Sequence, residues 1–190
     1  MSDENRSDRF HTVVRTRRTI HKYRPEPVES AIVERALEAA HCAPNHKLTW
    51  PWRFTRVGPE TRSLLTELAV RVKEDKAPLS EHQRAGVIAN VSNPGALIVV
   101  SVVCTDDAFQ SREDYAASAC AIQNLMLSLH ADGVGSKWGT GAVTRRAETY
   151  ELMGIDPELE EIIGFVWVGT PAVVPSIGRP DVSGHIRDTP

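Results

Sequence analysis

Cysteine is scarce in this chain. Cys42, Cys104 and Cys120 lie far apart, odd in number and with no C-x-x-C pair. That excludes a closed disulfide framework and leaves reduced, mostly buried thiols as the expectation. No apolar run approaches the roughly 20 residues needed to cross a bilayer. The opening Met-Ser-Asp-Glu-Asn is acidic and has no apolar stretch of signal-peptide type, so a cytoplasmic protein is expected, without membrane contact. Excess positive charge is missing too. The formal net charge of −3 argues against a general nucleic-acid binder. There is no G-x-S-x-G, no Walker-type loop and no cysteine with an evident histidine partner. No set of His, Cys, Asp and Glu has metal-ligand spacing, so no metal is expected. With no side-chain nucleophile, acid or base standing out, no catalytic residue is assigned, and a bound cofactor is expected to carry the chemistry.

The chain has 190 residues, 41% of them hydrophobic and 25% charged, which suits one domain with a substantial core. Residues 1–6 are polar and expected to be loose. Ser7 can cap a short helix bearing Phe10, Val13 and Val14. Val28, Ile32, Ala36 and Ala40 repeat at helical spacing, and Pro44 ends that helix at Cys42 or Ala43. Trp50 to Val57 reads as a strand. Pro59 to Lys73 reads as a helix with Leu64, Leu65, Leu68 and Val72 inward, followed by a weaker helix over 80–90. Ala96 to Cys104 and Glu161 to Thr170 are short, nearly continuous apolar runs that fit strands buried on both faces. Ser111 and Asp114 resemble a capping box opening a long apolar helix to about Ala131, closed by Gly133. Thr144 can cap another helix that ends at Gly154. Beyond Pro171 the prolines and glycines predict an irregular tail over 172–190.

Three stretches carry candidate chemistry. In Arg15–Arg24, five Lys or Arg residues and His21 crowd into ten positions of an acidic protein. Guanidinium groups bind phosphate bidentately and permanently, so Arg17, Arg18 and Thr19 suit a phosphate; a solvated patch at a helix end is the equal alternative. Ala43-Pro44-Asn45-His46-Lys47 follows a helix end and offers donors to an anion or a heteroaromatic ring. Between Gly133 and Gly141, four glycines in nine residues let a ligand approach the backbone. The spacing there is not G-x-G-x-x-G, and it follows a helix, so it is no dinucleotide fingerprint. Trp138 within it can either stack on a flat ring or plug the core.

In order along the chain, Arg17-Arg18-Thr19-Ile20-His21-Lys22-Tyr23, Ala43-Pro44-Asn45-His46-Lys47-Leu48-Thr49-Trp50-Pro51-Trp52, a central helix with Ala119, Gln123 and Asn124, Gly133-Val134-Gly135-Ser136-Lys137-Trp138 and Gly164 to Pro171 resemble the nitroreductase family, in its short subgroup with an A-P-x-H-K loop. The resemblance spans about Phe10 to Arg179. It departs at Leu48 and Trp50, which replace the usual Asn and Gln, and the chain is short enough to lack the helical excursion that covers substrate. The resemblance implies an α+β sandwich, a mixed and mostly antiparallel sheet wrapped by helices, in a domain-entwined homodimer. It implies FMN at the subunit interface, NAD(P)H as electron donor, and a small oxidised acceptor such as a nitroaromatic, quinone or enone, served in ping-pong order. By the same resemblance Arg17, Arg18 and Thr19 would hold the FMN phosphate and ribityl chain, with Arg179 a distant helper. Cys42 and His46 would come from the partner subunit. Trp138, Gly139, Thr140 and Gly141 would lie near the isoalloxazine ring. Dehalogenation, flavin breakdown and non-enzymatic flavin binding are the competing readings.

Overall fold

The two longest β-branched runs build the centre of the molecule. The computed structural model describes residues 3–190, with side chains from Asn5 onward. Its strands are β1 (Trp52–Arg56), β2 (Ala96–Val103), β3 (Gly135–Gly139) and β4 (Glu160–Gly169). They form one sheet in the order β1-β2-β4-β3. Every strand pair is antiparallel. The expected mixed character is confined to an isolated parallel bridge between Thr19 and Ser136. β2 and β4 lie at the centre and are buried on both faces, which is why neither alternates in polarity.

Among the described residues six α-helices cover the sheet: α1 (Asp3–Thr16), α2 (Ser30–His41), α3 (Pro59–Glu74), α4 (Glu81–Ser92), α5 (Ala108–Ala131) and α6 (Ala147–Met153). On one face Val33, Ala36 and Ala40 of α2 and Ala121, Ile122 and Leu125 of α5 pack on Ile98, Val100 and Val166. The alanines let α2 lie close against α5. On the other face Leu65, Leu68 and Val72 of α3, with Val91 of α4, pack on Leu97, Val99 and Phe165. Each such fully buried aliphatic side chain contributes about 1.5–3 kcal/mol of transfer free energy. This α+β sandwich is the expected fold class. Among the described residues no helix is long and apolar enough to cross a membrane.

Several local expectations are corrected. α1 begins by Asp3, so Ser7 lies inside it, and residues 3–6 are helical; Met1 and Ser2 lie outside the described residues. The helix starting at Ser30 leaves Val28 out. Trp50 stands before β1 with φ 42° and is exposed. Leu64 points outward, 50% exposed, because the inward stripe of α3 runs through Leu65, Leu68, Ala69 and Val72. α5 opens at Ala108, capped by the Asp107 carboxylate, which accepts from the Phe109 and Gln110 amides. Ser111 is therefore no cap, and Asp114 is buried, accepting from Gln110 Nε2 and Thr49 Oγ1. Thr144 sits inside a 3₁₀ turn and donates back to Gly141 O at 2.8 Å rather than capping α6. The glycine-rich stretch after α5, for which the sequence predicts no strand, is β3 over its Gly135–Gly139 part.

One irregularity in β4 matters later. Val100 faces Gly164, but Ser101 faces Ile162, so β4 carries an extra residue there. Ile163 and Val166 face one core while Ile162 and Phe165 face the other. The alternation therefore slips by one at Gly164, as a β-bulge requires.

Candidate functional site

The arginine-rich segment leaves α1 and is stitched along the free side of β3. Ile20 N donates to Ser136 O at 3.0 Å, Arg24 N to Thr170 O at 3.0 Å, and Ala172 N to Lys22 O at 2.9 Å. Ile20 and Tyr23 are the apolar anchors of this segment. Tyr23 donates its hydroxyl to Trp167 O at 3.2 Å, and burial pushes that hydroxyl's pKa up. Tyr23→Phe is expected to lower stability by about 1–2 kcal/mol, because the buried carbonyl loses its partner. The midpoint of urea unfolding measures it.

The close fit of this segment depends on Gly135. A Cβ there would stand 2.7 Å from Ile20 Cγ1 and 2.8 Å from Pro171 Cγ. With no side chain at 135, a cleft of about 120 Å³ opens, lined by Arg17, Arg18, His130, Ser136, Pro171 and Val174 among others. Two polar atoms in its lining residues, Arg17 Nη1 and Ser136 Oγ, are buried without any hydrogen-bond partner. Ser136 as a whole is only 2% exposed. Buried donors without partners are uncommon in native proteins and point to a missing acceptor.

The charge around the cleft is of one sign. Arg18 Nη1 donates to Arg15 O at 2.7 Å and to Arg17 O at 3.0 Å. From the far end of the chain Arg179 donates to Val14 O at 3.0 Å and to Arg17 O at 3.1 Å. Arg179 thereby caps the carbonyl end of α1, where a cation is favoured. Burial, and then the nearby Arg179 and Arg18 charges, lower the pKa of Arg17. Two guanidinium groups thus converge on the Arg17 carbonyl with the charge of Arg17 itself close by, an arrangement that an anion would relieve.

The other candidate residues divide into two places. Thr19 sits beside Ser136 through the parallel bridge. Trp138, on β3, turns its indole into the sheet and donates Nε1–H to Ile163 O at 3.1 Å. Gly139, Thr140 and Gly141 continue from there along the sheet edge into the 3₁₀ turn Ala142–Arg145. Cys42 ends α2, and His46 opens a short 3₁₀ turn in which Lys47 and Leu48 adopt φ 57° and 54°. That turn is tied to the front of α5 by Thr49 and Asp114. Asp114 and His130 are sixteen positions apart on α5, or about 24 Å along its axis. Within one protomer, His46 and the Arg17 cleft are therefore at opposite ends of the long helix. Two cleft residues escape a sequence reading: Ser136, hidden among glycines, and His130, in the last turn of α5. Among the described residues no group of His, Cys, Asp and Glu could hold a metal.

Comparison with known proteins follows the same outline. Residues 14–170 match the Nitroreductase family. A Bacillus subtilis (strain 168) protein named as an NAD(P)H nitroreductase, YfhC, is 33% identical over 175 residues, covering 88% of this chain and 87% of its own length. The crystal structure of a nitroreductase-like family protein from Bacillus cereus superposes with a TM-score of 0.79 at 25% identity, over 95% of each chain. A nitroreductase-named protein from Desulfovibrio desulfuricans, solved in complex with FMN, superposes with a TM-score of 0.74 at 24% identity, over 95% of this chain and 96% of its own.

Proposed function

Because this chain belongs to the nitroreductase family, we propose that it is an FMN-dependent oxidoreductase using NAD(P)H to reduce an oxidised organic acceptor. Nitroaromatics, quinones and enones are the acceptor class. The observation that carries the reading is the pair of buried, unpartnered donors, Arg17 Nη1 and Ser136 Oγ, at a cleft ringed by cations. Those atoms fit a phosphate monoester, which brings two negative charges and acceptor oxygens to a place ringed by cations. Bound FMN would supply a ring able to accept a hydride from the nicotinamide and pass it on to the acceptor.

The chain's own residues would bind, orient and shield. Arg17, Arg18 and Ser136 hold the phosphate, Thr19 the start of the ribityl chain, and Arg179 keeps Arg17 in place through its carbonyl. Trp138, with its indole fixed by Ile163 O, gives a rigid wall beside Gly139, Thr140 and Gly141, where the ring edge lies. Rigid placement of this kind is worth much of the barrier when two reactants must meet face to face. Nicotinamide donor and acceptor use one slot in turn, the ping-pong order.

A homodimer is part of the same reading, and the distance along α5 supports it. Cys42 and His46, at the far end of that helix from their own Arg17, would serve the partner's flavin. The exposed Phe109 and Tyr115 of α5 and the exposed Val173, Val174 and Ile177 of the tail agree with a face covered by a second copy. The three cysteines are unpaired, which agrees with a reducing, cytoplasmic setting, although all three are exposed in the protomer, against the expectation of mostly buried thiols.

The visible spectrum of purified protein, before and after anaerobic NADPH, tests the reading. A flavin band that bleaches on addition and returns with an acceptor is expected. Protein that is colourless and takes up no FMN would refute it. A flavin band that neither NADPH nor NADH bleaches would reduce the protein to a flavin-binding module.

A further inference from the structure

His130 lines the same cleft and has an unusual hydrogen-bond arrangement. Its Nε2 lies 2.8 Å from Thr16 Oγ1. A hydroxyl has one proton, and Thr16 already donates its own to Thr12 O at 2.7 Å. The Thr16 oxygen can therefore only accept from the ring, so neutral His130 carries its proton on Nε2. That leaves Nδ1 with a bare lone pair and no hydrogen-bond partner among the described residues.

The surroundings of the ring are cationic. Arg17 and Arg18 face it from the segment after α1; burial first, then these two charges, hold the imidazole's pKa below its usual value. Arg179 of the tail stands behind Arg17. On His130's own element, Asp132 follows at the end of α5, but Arg35 of α2 already engages its carboxylate at 2.9 Å. β3 contributes the uncharged Ser136 and Gly135. The carbonyl end of α5 favours a cation mildly. The arginines thus add to burial in opposing protonation, and an anion that neutralised them would remove their share of that opposition.

Building on the flavin reading above, we infer that His130 is a further ligand of the cofactor's phosphate and takes up a solvent proton at Nδ1 as the phosphate binds. A neutral Nδ1 offers only a lone pair to phosphate oxygens, which repel it. Protonated, the same atom becomes a charge-assisted donor while Nε2 keeps its bond to Thr16. Binding and proton uptake are therefore linked, and affinity rises as pH falls through the bound-state pKa of the imidazole.

The experiment titrates the full chain, freed of flavin, with FMN and with riboflavin between about pH 6 and pH 8.5, as wild type and as His130→Gln. Glutamine retains a donor for Thr16 but cannot titrate. The phosphate's own second ionisation, near pH 6, is common to both proteins, so the ratio of their affinities isolates the histidine. Wild type should gain about five- to ten-fold in FMN affinity over the variant across that range as pH falls, with no such gain for riboflavin. Calorimetry on the wild type alone, in two buffers of different ionisation heat, should register proton uptake with FMN and none with riboflavin. Superimposable FMN profiles for the two proteins, or equal proton uptake with riboflavin, overturn the role of His130 and leave the flavin reading standing. Failure of both proteins to bind FMN at any pH overturns the flavin reading itself.

Discussion

Arg17→Ala is expected to weaken FMN binding about ten- to a hundred-fold while changing riboflavin binding little. The loss of one charge-assisted phosphate contact costs about 1.5–3 kcal/mol, which sets that range. The same substitution should not destabilise the flavin-free protein, and should stabilise it slightly. Arg17 there is a partly buried cation beside two others, with its pKa lowered and Nη1 unpartnered. Alanine removes the unsatisfied donor and the like-charge repulsion together. Opposite signs for affinity and stability separate a residue held for a ligand from one held for the fold. Fluorescence titration with FMN and riboflavin reads the first, and urea unfolding of the flavin-free protein the second. Arg17→Lys should fall between wild type and alanine, because a point charge cannot grip phosphate bidentately. Unchanged FMN affinity in Arg17→Ala would move the phosphate elsewhere.

The basic stretch thereby acquires an internal division. Arg17 and Arg18 line the cleft. Arg24 stands 4.0 Å from Glu26 with both side chains mostly exposed, a pairing worth little in water. Excess charge at Arg15, Lys22 and Arg24 raises the local potential felt by an approaching anion, an effect that salt screens.

What the sequence reveals depends on whether the signal is local. β2 and β4 are legible because a continuous β-branched run of that length has few other uses, and α2 and α3 because their apolar stripes repeat at helical spacing. β3 is not legible, since glycine at 135 and 139 is a loop signal. Its strand exists through pairing with β4, from Gly135 opposite Gly169 to Gly139 opposite Phe165. The start of α5 fails for a similar reason. Asp107 and Ser111 are both good caps, and burial of Asp114 between Gln110 and Thr49 selects the earlier one. At the cleft, Arg17 and Arg18 announce themselves by charge density. Arg179 is 162 positions from Arg17, and no local pattern can bring it to that carbonyl. Ser136 and His130 gain their meaning only when β3 and the end of α5 meet the arginines. Local chemistry names the donors in such a site, and tertiary contact decides which of them lose their water.

Gly164→Ala is expected to destabilise the protein by about 2–4 kcal/mol. Gly164 has φ 155°, a region that side chains avoid, at the bulge that resets the two faces of β4. A Cβ there would stand 2.1 Å from Trp138 Nε1, 2.6 Å from Trp138 Cδ1 and 3.0 Å from Gly139 O. The indole cannot yield easily, because its Nε1–H is bonded to Ile163 O and its ring packs on the core beneath. The strand must bend or the indole must leave, and either change disturbs the wall between Ser136 and Gly139. Stability should therefore fall together with FMN affinity, and the near-ultraviolet tryptophan signal should change. A double-mutant cycle with Trp138→Ala identifies the cause. If the clash with the indole dominates, Gly164→Ala costs much less in the Trp138→Ala background, and the two losses are strongly non-additive. If the losses simply add, backbone strain at 164 rather than contact with Trp138 is why glycine is required, and the indole is free to be replaced without regard to the bulge.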